Sequence, residues 1–64
     1  MKQYKVITIR KDGTINETTF GGYWGETYAD KCFHTAVKHP ETLLAITFED
    51  GDIRASFPKI KQEG

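Results

Sequence analysis

Polar and apolar residues follow similar patterns in two stretches of this chain, one near each end. Residues 7–15 and residues 46–53 each contain a β-rich run, an Asp-Gly pair and the start of a second β-rich run. Asp-Gly between β-forming residues is typical of a hairpin turn, because glycine accepts a positive φ and Asp tolerates the left-handed conformation. The pattern therefore predicts two β-hairpins, with turns at Asp12-Gly13 and Asp50-Gly51.

The register of the first hairpin depends on the length of its turn. We predict its strands over 3–10 and 14–20. A two-residue turn would pair Ile9 with Asn16 and mix polar and apolar side chains on one face. A three-residue turn, with Gly13 in a bulge, pairs Ile9 with Ile15 instead. Because register follows the hydrophobic pattern, we expect the bulged form.

The second hairpin has a clearer apolar face. Pairing Phe48 with Ile53 brings Ile46 opposite Ala55 and Leu44 opposite Phe57, so that all six side chains share one face. The same register places two acidic residues, Glu49 and Asp52, opposite each other at the turn. Pro58 should end the last strand, since proline cannot donate a ladder hydrogen bond.

One amphipathic helix is predicted between the hairpins, over about 27–39. Its apolar positions recur at helical spacing: Ala29, Cys32, Phe33, Ala36 and Val37. Thr27 and Asp30 resemble a capping box at its start. Pro40 should stop the helix and move His39 out of the α region.

These elements predict an α+β fold of ββαββ type, with one amphipathic helix packed on a four-stranded, mostly antiparallel sheet made of two hairpins. We expect a single domain over 1–58 and a flexible C-terminal tail over 59–64. The strand order stays open. The helix is expected to cover the more apolar sheet face, formed by Ile7, Ile9, Ile15, Leu44, Ile46, Phe48, Ile53, Ala55 and Phe57.

Composition limits the classes of protein that fit. The 64 residues include one cysteine, which excludes an intramolecular disulfide, and no apolar run approaches membrane-spanning length. No signal peptide is visible, so we expect a cytoplasmic protein without membrane contact. The formal net charge is zero, which predicts no general affinity for nucleic acid.

Catalysis and metal binding have little support in the sequence. Cys32 lies within the apolar stripe of the helix, and the adjacent His34 should point elsewhere. His34 and His39 are five residues apart, whereas metal-binding pairs on a helix are spaced by three or four. We therefore expect no catalytic residue, no cofactor and no metal, and the protein is not expected to be an enzyme.

The segment from Gly21 to Tyr28 is the first candidate binding site. It combines three glycines with Tyr23, Trp24 and Tyr28 immediately before and within the start of the helix. One interpretation is structural, with Tyr23 or Trp24 packed against the core at the helix entry. The alternatives are contact with a protein partner and binding of an anion or nucleotide at the helix N-terminus.

The sheet face away from the helix is the second candidate. The bulged register places Tyr4, Val6 and Phe20 there, together with Arg10 and Arg54. Such a face suits either a chain–chain interface or single-stranded nucleic acid. The neutral charge and acidic loops favour self-association.

The sequence therefore predicts a small non-enzymatic binding module that acts through protein–protein contacts, as a homodimer. Free-standing chains of this size are often accessory proteins of phages or mobile elements that inhibit or sequester a host component, an analogy from size alone. The alternative is a protein that binds single-stranded nucleic acid or nucleotides through the open sheet face or the Gly-rich aromatic loop.

Overall fold

A computed structural model of the protein describes residues 2–58. One helix packs on a four-stranded antiparallel sheet, which confirms the predicted ββαββ fold. The elements in chain order are β1 (Tyr4–Arg10), β2 (Ile15–Phe20), α1 (Gly25–Lys38), β3 (Thr42–Glu49) and β4 (Asp52–Phe57). The predicted tail, 59–64, lies outside the described residues.

The strand order is β2-β1-β3-β4, so the first strand of each hairpin lies at the centre of the sheet. Asp50 joins the ends of these two central strands. Its backbone N–H donates to the Gln3 carbonyl at 2.8 Å, and its Oδ1 accepts from the Gln3 N–H, also at 2.8 Å. All neighbouring strands are antiparallel, which leaves β2 and β3 pointing the same way with β1 between them.

The first hairpin has the predicted bulged register. Ile9 lies opposite Ile15, and Tyr4 lies opposite Phe20. Gly13 has a φ of 91°, which only glycine adopts without strain. Asp12 Oδ1 accepts a hydrogen bond from the Thr14 N–H at 2.8 Å, and hydrogen bonding with Thr14 lowers the pKa of the Asp12 carboxyl. This turn chemistry fixes the loop length and hence the register.

The predicted register of the second hairpin is right at the turn and wrong beyond it. Phe48 lies opposite Ile53, as predicted, but the register shifts between Thr47 and Phe48. The resulting bulge at Arg54 places Ala55 opposite Thr47 and Phe57 opposite Ala45. Because one extra residue reverses the alternation, Ala55 and Phe57 do not share a face with Phe48 and Ile53 as predicted, and they lie on the side of the sheet that carries Ala45 and Thr47.

The helix begins two residues earlier than predicted. Trp24 is its N-cap and makes no side-chain capping hydrogen bond, so the proposed capping box of Thr27 and Asp30 is wrong. The position of Gly25 accounts for the early start. A Cβ there would lie 3.3 Å from Tyr4 Cδ2, so the absent side chain lets the first turn approach the sheet closely. The predicted end is confirmed, because His39 is extended ahead of Pro40.

The helix covers the face that we expected to be open. Tyr4, Val6 and Ala29 form the buried cluster, with Phe20 and Cys32 packed against it. The predicted covered face, which includes Ile7 and Ile46, is therefore the uncovered one. The physical reason lies in the topology: α1 connects two parallel strands, and such connections are almost always right-handed. Strand order and handedness together select the face, whatever its side chains.

Candidate functional site: the uncovered sheet face

The sheet face opposite α1 carries most of the large aliphatic side chains of the strands. We call it the uncovered face, and its seven large apolar residues come from all four strands: Ile7, Ile9, Ile15, Leu44, Ile46, Phe48 and Ile53. None of them is buried, and Ile15 and Ile53 at the two edges are 66% and 61% exposed. By contrast, the buried hydrophobic residues among positions 2–58 are two larger ones, Tyr4 and Val6, and two alanines.

The strand register makes this apolar surface continuous. Ile7 lies directly opposite Ile46 on the two central strands, and Ile9 lies opposite Leu44. Phe48 extends the row to Ile53 on β4. Side chains at directly opposed positions are about 5 Å apart, which brings the members of each of these pairs close together. The pairs lie next to one another along the strands and form an apolar patch that reaches from β2 to β4.

One ion pair and one depression complete the uncovered face. Lys5 Nζ lies 3.4 Å from Glu17 Oε1, and alternation along the strands places both side chains on this face. Beside them is a depression of about 690 Å³, whose lining includes Lys5, Ile7 and Phe48. The charges on the face cancel, and the depression offers a recess for an apolar side chain.

On the opposite side of the sheet, Arg54 joins β4 to the helix. Its guanidinium lies 2.8 Å from Glu26, 3.4 Å from Asp30 and 3.6 Å from Glu49. It also lies 5.4 Å from the centre of the Tyr4 ring. Hydrogen bonding to Glu26 is the main cause that raises the pKa of Arg54, and withdrawal from water is the main cause that raises the pKa of Tyr4. Arg54 therefore stabilises the helix–sheet contact within the chain.

Two predicted partner-binding residues are not on the surface. Tyr4 is 5% exposed and Val6 is 1% exposed, since both lie beneath α1. Their assignment to an open face was wrong for the topological reason given above. Phe20 is half-buried beside them, whereas Arg10 is exposed at the end of β1. The sequence separated the two faces of β1, β2 and β3 correctly, but the helix was assigned to the wrong one.

The aromatic segment ahead of the helix is exposed. Tyr23 is 81% exposed, Trp24 58% and Tyr28 55%. Tyr23 and Trp24 contact each other edge to face, with ring centres 4.7 Å apart. Neither ring belongs to the buried cluster, so the interpretation of this segment as a core staple is wrong. These side chains form a separate aromatic surface on the loop and the first turn of α1.

Groups suited to metal chemistry are not assembled in the part of the chain that the structure describes. Within residues 2–58 there is no cluster of three or more His, Cys, Asp or Glu side chains that could hold a metal ion. Cys32 is half-buried in the helix–sheet contact. No helix among these residues has the length and apolar character needed to cross a membrane.

Within residues 2–58, fold and surface together define a small ββαββ domain with a helix on one side of its sheet. Comparison with known protein families, with curated proteins and with solved structures finds no match to this chain.

Proposed function

We propose that the protein is a non-enzymatic binding module that acts through protein–protein contacts, and that it forms a homodimer through the uncovered face. The observation that carries this proposal is the distribution of apolar residues. Seven large apolar side chains are left without cover, whereas the helix buries only two larger ones, Tyr4 and Val6. Contiguous apolar patches of this kind mark interaction surfaces in soluble proteins.

The size of the face favours a weak dimer. Strands are about 4.8 Å apart and rise about 3.3 Å per residue, so four strands of six to eight residues give a flat footprint of about 400 Å². The side chains standing on it present more accessible area than that. The total surface buried by two such faces is therefore about 1,200 Å² or less, and this value separates weak complexes from those of standard size. We therefore expect dissociation in the micromolar range.

A second copy suits this face better than an unlike partner does. A two-fold interface places the same patch on both sides, so the patch must complement itself. One Lys5 and one Glu17 per copy give each face both signs of charge, and two sheets of this type can stack about 10 Å apart. The formal net charge of zero adds no repulsion between copies.

The nucleic-acid alternative on this face is less well supported. Two basic residues of the sheet are already engaged, since Arg54 is held by three carboxylates on the other side of the sheet and Lys5 is paired with Glu17. Phosphate binding needs cations that can replace counterions. The uncovered face offers mainly aliphatic side chains instead.

The proposal is tested by measuring mass and contacts on the same protein. Sedimentation equilibrium should show a reversible monomer–dimer equilibrium, and isotope-filtered NMR on a mixed-label sample should show contacts between the Ile7 and Ile46 methyl groups of different copies. A monomer at the highest concentration overturns the dimer. A dimer whose intermolecular contacts involve Tyr23 and Trp24 instead overturns the choice of face.

A further inference from the structure

A groove on the helix side of the sheet has no role in the proposed dimer. It lies between α1 and strands β1 and β2, with a volume of about 430 Å³. Tyr28, Lys31, Thr35 and His39, spaced three or four residues apart, line its helical wall. Grooves and clefts of about 300–1,000 Å³ are the usual size of small-molecule sites. From this groove we infer a binding site for a small phosphorylated molecule with an aromatic ring, such as a nucleotide.

The charge of the groove favours an anion. Among residues 2–58, its lining includes Arg10, Lys31 and His39 and no Asp or Glu. Within the same residues neither Arg10 nor Lys31 forms an ion pair, whereas Lys2, Lys5 and Arg54 do. What sets the groove apart is that its unpaired basic side chains share one recess free of described carboxylates.

The histidine is oriented by the backbone that follows it. His39 Nδ1 accepts a hydrogen bond from the Glu41 N–H at 3.2 Å. In the neutral ring this leaves the proton on Nε2, which becomes a donor. The His39 carbonyl also accepts a hydrogen bond from the Thr42 N–H at 3.1 Å, which holds this residue at the end of the groove near β3. His39 can therefore donate to a phosphate oxygen in either protonation state.

The opposite end of the groove is aromatic. Phe20 and Tyr28 belong to its lining, and Tyr28 is 55% exposed. Tyr28 and His39 are eleven positions apart on or next to the helix, which corresponds to about 16 Å along its axis. A nucleobase stacked on the Tyr28 ring would leave its own phosphate beside Lys31, which is about one helical turn away, and only a longer ligand would extend from there to His39. The groove matches a ligand with an aromatic part and an anionic part.

Two sources supply this chemistry, a free mononucleotide and a nucleotide unit within a single strand. Calorimetry and ¹H–¹⁵N NMR with AMP, adenosine, inorganic phosphate and a short oligodeoxyadenylate distinguish them. We expect AMP to shift the amide signals of Tyr28 and Lys31 and to bind more tightly than adenosine or phosphate alone. Tighter binding of the oligonucleotide than of AMP would assign the site to single strands, and equal or weaker binding would assign it to free nucleotides.

Matched lysine variants on the same helix make the test specific. Lys31→Gln should weaken AMP binding about tenfold, because it removes one charge-assisted hydrogen bond. Lys38→Gln removes the same charge from an exposed position outside the groove and should leave the affinity unchanged. Equal effects of the two variants, or no groove shifts with either AMP or the oligonucleotide at millimolar concentration, would overturn the site. Because the groove and the uncovered face lie on opposite sides of the sheet, each proposal stands or fails by itself.

Discussion

A charge placed at the centre of the uncovered face should dissociate the dimer while leaving the monomer folded. Ile46 is the best position, since it lies on a central strand, opposite Ile7, and is only half-buried in the single chain. In Ile46→Lys the aliphatic stem can lie over Ile7 while the ammonium group reaches water. The folded monomer should therefore survive this change.

The expected loss of dimer stability follows from the area that the second copy would cover. Complete burial of an isoleucine contributes about 1.5–3 kcal/mol, and the single chain already gains about two-thirds of it, since Ile46 is partly buried. The remaining third, lost once in each copy, gives about 1–2 kcal/mol per dimer. This corresponds to a dissociation constant raised about fivefold to about thirtyfold. Desolvation of two ammonium groups in an apolar interface adds to that loss.

Sedimentation equilibrium measures the dissociation constant, and thermal melts over a range of concentrations provide a second measurement. The melting temperature of the wild-type protein should rise with concentration, because dimerisation stabilises the folded state by mass action. The melting temperature of Ile46→Lys should not rise with concentration. Tyr23→Lys is the matched control, since it places the same charge at a side chain that is 81% exposed and off this face. Equal association of wild type and Ile46→Lys would refute the assignment of the interface.

Four further changes test the rest of the structure. Arg54→Met should lower the free energy of unfolding by about 1–2 kcal/mol in chemical denaturation, since three exposed ion pairs and a cation–π contact are lost, and high salt should reduce the difference. Thr47→Val should stabilise the protein by about 1 kcal/mol, because the buried Thr47 Oγ1 has no hydrogen-bond partner among residues 2–58; a destabilised variant would contradict this. Asp12→Asn should change the way in which the free energy of unfolding falls as the pH is lowered. The Asp12 pKa is lowered from 3.8 by hydrogen bonding with Thr14, so its stabilisation is present above that pH and is lost as the pH falls through the lower folded value. Trp24→Ala should change stability by about 0.5 kcal/mol or less in thermal melts, as expected for an exposed ring; a loss of several kcal/mol would place Trp24 in the core.

Local patterns predicted the parts of the fold that depend on neighbouring residues. The Asp12-Gly13 turn and the alternation around Ile9 and Ile15 were sufficient for the register of the first hairpin. The second hairpin was predicted correctly only up to Phe48 and Ile53. Nothing in the local sequence marks the bulge at Arg54. Its guanidinium bonds to Glu26 and Asp30 on the helix, and these partners lie more than 20 positions away along the chain.

The sequence by itself determined the number and kind of the elements, the register of the first hairpin and the two faces of β1, β2 and β3. Only the tertiary structure decided which sheet face the helix covers. That choice depends on β3 pairing with β1 and on the handedness of the connection through α1, and neither is encoded in alternation along a single strand. For the same reason Ile7 and Ile46 were predicted as core and lie on the surface, while Tyr4 and Val6 were predicted as surface and form the core. The side of the sheet on which dimerisation is proposed follows from this one feature of the topology.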